Sequence, residues 1–398
     1  MESVSKSWDR WLPLVFLPFL LTGCWDRVEI EDRGFTIGAA IDLEENLGNE
    51  EDKNEQHVYQ GTYQLVVPGG LGQGTGQGGG QETAYQNLTS VSDSLFEQIR
   101  DLAKETSRTP FFAHLEMIIV SEDVAKVPGA FSNIMDLFLR DHEMRRGVKV
   151  LISKGNAGDV LKVEPKPENL PVMFLDSIIE NAVKNPQMLQ EVRIGTVHEY
   201  LASNNSFVIP KIEMNGEKVD SEGAAVIHGH NDTMVDFING KTTEGLNFIK
   251  GDYKGGLVKA KIDEDLVVYE IKNAKRTVEV NTDDKNKIKF HIMIQTEGTI
   301  GESFKRLDYT KPENIEKVQN AMENEIKKTA ETSVEKLRDD LKVDALGLSG
   351  YVQRKNYALW KKICDDWDHG DNYFSKSEIA IEVNAIIRAP GSIIQIEK

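Results

Sequence analysis

Apolar residues recur at every second position in many short segments of the chain, a pattern that is typical of β-strands with one buried face. The clearest case begins at Ile288, where every second residue to Ile294 is apolar, whereas Lys289 and His291 between them are polar. Because successive side chains of a strand point to opposite faces, one face of this strand should be buried. The same reasoning predicts strands at 35–42, 59–67, 115–120, 148–153, 207–212, 223–227, 257–262, 266–273, 277–281, 288–299 and 379–388.

Other segments show the spacing of helices with one apolar stripe. From Leu88 to Leu102 apolar residues recur at intervals of three or four, which predicts a helix beginning at Leu88. Thr310 and Glu313 have the spacing of a capping box, and Pro312 suits a first helical turn, so a long amphipathic helix is expected to follow. Further helices are predicted at 129–139, 172–184 and 351–366.

These elements predict an α+β protein with three mixed domains, each a β-sheet packed with α-helices. We place an N-terminal domain at 24–204, a small middle domain at 205–265 and a C-terminal domain with the long helix at 266–398. The segment 69–80 reads GGLGQGTGQGGG and lacks apolar residues for a core, so we interpret it as a flexible surface loop.

Residues 1–23 have the layout of an export signal, with a polar start, a short apolar stretch and small residues at its end. The apolar stretch is too short for a membrane-spanning helix, which needs about 20 apolar residues. Leu21-Thr22-Gly23-Cys24 resembles the bacterial lipobox, which implies diacylglycerol on Cys24 and cleavage just before it. Two acyl chains give stable anchoring where one gives only marginal attachment. The alternative is an ordinary secreted protein with Cys24 buried or in a disulfide.

The formal net charge of −18 disfavours nucleic acid as a partner, because an acidic surface repels phosphate. It also repels anionic lipid headgroups, so membrane association should come from the lipid on Cys24 rather than from a basic patch. Cys24 and Cys364 are the two cysteines of the chain, and acylation of the first leaves no intramolecular disulfide. We expect Cys364 to be a buried apolar side chain.

The candidate motifs for cofactor binding or catalysis each lack a required residue or structural context. The spacing of a dinucleotide-binding motif occurs at Gly74, Gly76 and Gly79, but the preceding strand and following helix are missing. The segment Gly240-Lys241-Thr242 lacks the earlier glycine of a P-loop, so we interpret it as a turn. The acidic cluster at 364–371 lacks calcium or zinc ligand spacing, so we interpret it as a helix end and turn. His114 and Glu116, and separately the charged segment 140–146, have groups that acid–base catalysis could use, but no second catalytic constellation accompanies them, so we interpret the histidine as structural or interfacial. We therefore expect no catalytic residue, cofactor or metal.

Several blocks together resemble one family. Residues 24–30, CWDRVEI, follow the lipobox, and 35–42, FTIGAAID, resemble the family's first strand. FAHLE at 112–116 and RDHEMR at 140–145 resemble its central signature, and 360–367 with the strand to Arg388 resembles its ending. On these blocks the chain resembles the C-subunit lipoproteins of spore germinant receptors, the Ger(x)C family.

The resemblance implies a non-catalytic subunit of a nutrient germinant receptor, needed for nutrient-triggered spore germination. It implies attachment to the outer face of the spore inner membrane and assembly with integral-membrane subunits of the A and B types. One alternative is a solute-binding lipoprotein that delivers a nutrient to a transporter, although such proteins usually have two lobes of repeated βα units. Another alternative is a surface hydrolase, which the failed motifs disfavour.

Overall fold

The computed structural model describes residues 33–44, 57–71, 83–141, 143–165, 168–251, 253–304 and 307–389. The predicted signal segment 1–23, Cys24 and residues 72–80 of the glycine-rich segment lie outside this range, and residues 69–71 form part of one helical turn. Among the described residues, no helix is both long enough and apolar enough to cross a membrane.

The strands and helices follow one another along the chain and are numbered separately. The strands are β1 (Arg33–Leu43), β2 (Tyr59–Val66), β3 (Tyr85–Ser92), β4 (Thr109–Phe111), β5 (Met117–Ser121), β6 (Lys149–Lys154), β7 (Phe207–Asn215), β8 (Lys218–Asp220), β9 (Ala224–His228), β10 (Thr233–Ile238), β11 (Leu257–Ile262), β12 (Asp265–Asn281), β13 (Lys289–Ser303) and β14 (Glu378–Ala389). The helices are α1 (Pro68–Leu71), α2 (Leu95–Glu105), α3 (Glu122–Ala125), α4 (Ala130–Arg140), α5 (Ala157–Val160), α6 (Pro171–Glu180), α7 (Ile194–Ala202), α8 (Gly240–Lys250), α9 (Pro312–Val334), α10 (Ser349–Lys355) and α11 (Tyr357–Ile363).

The larger sheet has ten strands within the described ranges, in the order β10-β9-β7-β6-β5-β1-β2-β3, with β4 beside β1 and β8 beside β7. Its central strands β1, β5, β6 and β7 run parallel to one another. Every residue of β5 is buried, as expected for a central strand with helices on both faces. Helices α2, α4 and α7 pack on one face around Phe131, and α5 and α6 pack on the other around Leu161.

The smaller sheet has the order β11-β12-β13-β14. Strands β12 and β13 form a long antiparallel pair, whereas β14 runs parallel to β13. A parallel pair needs a crossover connection, and here the connection contains α9, α10 and α11. The apolar residues of β13, such as Phe290 and Ile294, share one core with Val318 and Met322 of α9.

The two sheets are joined by that same core. It includes Val208 and Val226 from the larger sheet and Leu246 and Phe248 from α8. Helix α8 thus lies between the sheets, and it also contacts α9, where the buried Ser333 hydroxyl donates a 2.7 Å hydrogen bond to the carbonyl oxygen of Thr242.

The predicted α+β class, with helices packed on mixed sheets, is confirmed. The predicted boundaries at 204 and 265 do not coincide with the change of sheet. Strands β7 to β10 belong to the larger sheet and β11 to the smaller, so residues 205–265 contribute to both. The division into three domains stays a prediction.

Two predictions about helix starts are wrong. Leu88 lies in β3, opposite Tyr63 of β2, and α2 begins at Leu95 after Ser94, whose side chain accepts a hydrogen bond from the backbone N–H of Glu97. Thr310 does not cap α9, because the helix begins at Pro312, one residue later than the capping box requires, and the Thr310 hydroxyl donates a 2.5 Å hydrogen bond to the Asp308 carboxylate. The N-cap position of α9 is Lys311, which makes no side-chain capping bond.

Three further segments differ in extent or type from their predictions. The predicted strands 266–273 and 277–281 form one strand, β12, which passes a register shift between Ile271 and Asn273. The predicted helix 351–366 is divided at Asn356, whose side chain caps α11. Gly240 begins α8 rather than a turn, because the Asn239 side chain accepts a hydrogen bond from the backbone N–H of Thr242.

Candidate functional site

A buried polar cluster lies at the junction between the two sheets and centres on Asp344 and Asp368. A π-helical turn, Glu335–Asp340, continues α9 and leads the chain into the loop that carries Asp344. The Asp344 carboxylate accepts hydrogen bonds from the backbone N–H groups of Leu348 at 3.0 Å and Ser349 at 2.7 Å. It also accepts a 2.7 Å bond from the indole N–H of Trp367. Asp344 therefore fixes the loop before α10 to the segment after α11.

Asp368 connects this loop to the larger sheet. Its Oδ2 accepts a 2.6 Å hydrogen bond from the Ser206 hydroxyl, just before β7, and a 3.1 Å bond from the backbone N–H of Asp344. Ser206 in turn accepts from the backbone N–H of Gly229 at 3.0 Å. One buried carboxylate thus holds together segments from both sheets.

Burial dominates the electrostatics of Asp344. It raises the pKa of Asp344 to about 6, and the nearby charge of Asp368 adds to the increase, although the three hydrogen-bond donors oppose it. Such a shift means that the ionised form of Asp344 is held at a cost to the folded protein.

Three histidines lie beside the carboxylates. The rings of His230 and His369 are stacked with centroids 3.7 Å apart, and the ring of His228 meets both edge-on at about 6 Å. His228 Nε2 donates to the carbonyl oxygen of Asp368 at 3.1 Å. Burial lowers the pKa of His369, and the neighbouring His230 contributes, whereas Asp368 opposes the decrease. Its surroundings therefore favour the neutral form of the His369 imidazole.

A cavity of about 390 Å³ opens beside this junction. Its wall includes Asn204 and Asn205 from the larger sheet's side, and Trp360, Asp365 and His369 from the C-terminal segment. The cavity is polar and has room for a small molecule or several waters.

The described residues that the sequence analysis singled out do not come together at one place. Cys24 lies outside the described residues. Residues Cys364–Asp366 form a short 3-10 turn at the end of α11, as the predicted helix end requires. Cys364 is partly exposed and borders the junction cavity, so its prediction as a buried side chain is wrong. Among the described residues, no group of three or more His, Cys, Asp or Glu side chains has the arrangement of a metal site.

His114 and the charged segment 140–146 do not meet the junction cluster. The exposed His114 ring packs edge-on against Phe35, with centroids 5.4 Å apart, and against Phe111 at 6.2 Å. Arg146 contacts Gly195 at the start of α7 through its backbone carbonyl. The aromatic contacts of His114 lie at the start of β1, whereas Arg146 joins the segment before β6 to α7.

Sequence reasoning did not identify Ser206, His228 or Asp344 as members of a site. These residues are separated along the chain and belong to no spacing motif, so only the tertiary fold brings them together. The acidic run that contains Asp368 was recognised in the sequence, but it was interpreted as a helix end and turn. The one available signal was the apolar Trp367 beside Asp368, which indicates that this end of the run is buried.

Comparison with known families agrees with the two-sheet architecture. A family profile described as the spore germination protein N-terminal domain matches residues 26–214, and one described as spore germination B3/GerAC like, C-terminal, matches residues 222–391. The chain belongs to the Ger(x)C family of spore germination proteins.

Curated relatives match over nearly their whole length. Spore germination protein YndF of Bacillus subtilis is 31% identical, and the match covers 96% of this chain and 98% of the relative. Spore germination proteins B3 and A3 of the same organism are 24% and 27% identical, over 95% and 96% of this chain and 97% and 98% of their own. The crystal structure of the GerBC protein shares the fold, with a TM-score of 0.59, 20% sequence identity and coverage of 89% of this chain and 99% of that one.

Proposed function

We propose that this chain is a non-catalytic, lipid-anchored subunit of a nutrient germinant receptor. The observation that carries the proposal is the full-length match to spore germination proteins, which leaves no large part of either chain unmatched. The arrangement of the described residues supports it, because the buried polar groups at the junction bind one another and join two sheets. That is the behaviour expected of a scaffold that presents surfaces to partners.

In this proposal the protein is exported, cleaved before Cys24 and attached by diacylglycerol to the outer face of the spore inner membrane. Supporting this location are the lipobox at 21–24 and the family block WDRVEI directly after Cys24. Strand β1 begins at Arg33, so nine residues, 24–32, separate β1 from the end of the predicted signal segment. At about 3.3–3.6 Å per extended residue this connection allows the body to lie within about 30 Å of the bilayer.

The partners in this proposal are integral-membrane receptor subunits of the A and B types. A test is to purify an affinity-tagged chain from spore membranes and identify the proteins that accompany it. We expect integral-membrane germination proteins and a diacylglyceryl group on the peptide that begins at Cys24. Recovery of an unmodified, partner-free chain would contradict both parts of the proposal.

The junction cavity gives the solute-binding alternative a specific place. The two sheets nevertheless differ in strand number and order, unlike two lobes of repeated βα units. Calorimetry of the full-length chain with amino acids and sugars distinguishes a receptor subunit from a solute-binding lipoprotein. Tight binding without the membrane subunits would favour solute delivery.

A further inference from the structure

Lys250 lies at the last position of α8, where this helix leaves the junction between the sheets. A second cavity of about 200 Å³ opens beside it. The wall of this cavity combines apolar side chains, such as Leu189 and Val208, with the polar groups of Thr196 and Tyr200. It is separate from the junction cavity and shares none of that cavity's lining residues.

The ammonium group of Lys250 has no hydrogen bond and no ion pair with any of the described residues. Surrounding protein removes much of its hydration and lowers its pKa to about 8, with the positive charge of Arg276 adding to the decrease and Asp344 opposing it. Lys250 is half-buried, and a partly desolvated ammonium without a partner is less stable than a paired one.

Two other polar groups of the cavity wall, the Glu191 carboxylate and the Asn247 amide, are already engaged. The Glu191 carboxylate is held by Lys149 at 3.2 Å and Arg193 at 2.5 Å. Asn247 donates both amide hydrogens, to the carbonyl oxygens of Pro186 and Met188, each at 2.9 Å. Lys250 is therefore the charged group at this cavity that lacks a counterpart among the described residues.

Arg276 does not line this cavity, although its charge contributes to the positive field at Lys250. Its guanidinium donates to the carbonyl oxygens of Ile249 at 2.8 Å and Leu346 at 3.4 Å. A doubly charged phosphate would need several donors, whereas this site offers one ammonium and a few neutral groups. One cation beside apolar walls suits a singly charged anion with a short carbon chain.

We infer that this cavity binds a small organic monocarboxylate, with the carboxylate group at Lys250 and the carbon chain against Leu189 and Val208. The ring of Tyr200, stacked on Phe207 with centroids 5.0 Å apart, provides a rigid aromatic wall. The inference goes beyond the proposed receptor role and does not depend on the lipid anchor.

The test uses the full-length chain purified in detergent, with propionate and butyrate as probes in calorimetric titrations. Lys250→Met removes the charge and keeps the length of the side chain, and we expect it to weaken binding at least tenfold. Lys254→Met is the matched control, because Lys254 is exposed and does not line the cavity, and it should bind as the unmodified chain does. Equal affinities for Lys250→Met and the unmodified chain would overturn the inference.

Phosphate and chloride form the second arm of the test. If either displaces propionate at equal concentration, the site is a general anion site and the inference of carboxylate selectivity is wrong. Absence of any heat with propionate at millimolar concentrations would mean that the cavity holds water only, which also overturns it.

The pH dependence of binding gives a readout that needs no variant. The carboxylate should bind the protonated lysine, so the affinity of the unmodified chain should fall about tenfold per pH unit above the pKa of Lys250. An affinity that is constant from pH 7 to pH 10 would contradict a role for Lys250 even if Lys250→Met failed to fold.

Discussion

Ser206 and Asp368 lie 162 positions apart in the chain, yet the hydroxyl of Ser206 donates a 2.6 Å hydrogen bond to the carboxylate of Asp368. This bond connects the segment before β7 of the larger sheet to the segment that leads into β14 of the smaller one. Because Asp368 also accepts from the backbone N–H of Asp344, its carboxylate is the centre of the polar junction.

Replacing Asp368 should destabilise the junction. Asp368→Ala leaves the Ser206 hydroxyl and the Asp344 N–H without their acceptor, and each unpaired buried donor costs about 1–3 kcal/mol. We expect the free energy of unfolding in urea to fall by about 3 kcal/mol. Asp371→Ala, at an exposed site in the same acidic run, should change it by less than about 0.5 kcal/mol. Equal losses in the two variants would show that Asp368 has no special role.

Asp344 should make stability depend on pH. Its folded pKa of about 6 lies above the ordinary value of 3.8, so its contribution to stability is fully present below pH 3.8 and is lost as the pH rises through 6. The expected loss across this window is about 3 kcal/mol from this group. The unfolding free energy of the unmodified chain, measured from pH 4 to pH 7, should therefore decline relative to that of Asp344→Asn. A difference between the two proteins that does not change with pH would contradict the burial of an ionisable Asp344.

The stability that depends on His369 should change with pH in the opposite sense to that of Asp344. Burial lowers the pKa of His369 below its ordinary value of 6.5, so the stability that depends on its neutral form is present above pH 6.5 and is lost on acidification. Protonation sets its charge against His228 and His230, whereas Asp366 and Asp368 partly compensate. The protection factors of the backbone amides of residues 229–232 in hydrogen exchange should fall between pH 7 and pH 5, and His369→Gln should reduce this fall. His291→Gln, in an exposed strand position beside Glu382, serves as the control and should leave it unchanged.

Close packing of α8 on α9 should make Gly245 intolerant of a side chain. A Cβ at this position would overlap Ser333 Oγ and the carbonyl oxygen of Thr329. Gly245→Ala should therefore lower the thermal midpoint, with a loss of about 2 kcal/mol or more because helix backbones must separate. Gly147→Ala, whose added methyl group meets nothing within 4 Å, should leave the midpoint nearly unchanged. Tolerance of Gly245→Ala would argue against the observed contact between the helices.

Local patterns in the sequence were sufficient for most strands, because alternation with a period of two is read directly from neighbouring residues. They failed where two elements meet. Leu88 and Val91 continue the helical spacing of Leu95 only by coincidence, since Asp93 and Ser94 separate a strand from a helix there. Thr310 matched a capping box, but α9 begins one residue later and has Lys311 at its N-cap position.

The junction cluster could not be predicted for a different reason. Hydrogen bonds between Ser206, Asp344 and Asp368 depend on the packing of two sheets, and no short-range spacing encodes that packing. Lys250 illustrates the same limit, because an amphipathic helix ending in lysine is ordinary in sequence. Only the surrounding fold shows that this lysine has no partner among the described residues.

The most direct test of the receptor role compares spores that carry the unmodified chain with spores that carry Cys24→Ala. We expect the variant to be absent from the spore inner membrane and its spores to lose germination with the nutrients that the receptor recognises, while germination by nutrient-independent triggers continues. Spores with Cys24→Ala that keep the protein at the inner membrane and germinate normally with nutrients would contradict the account.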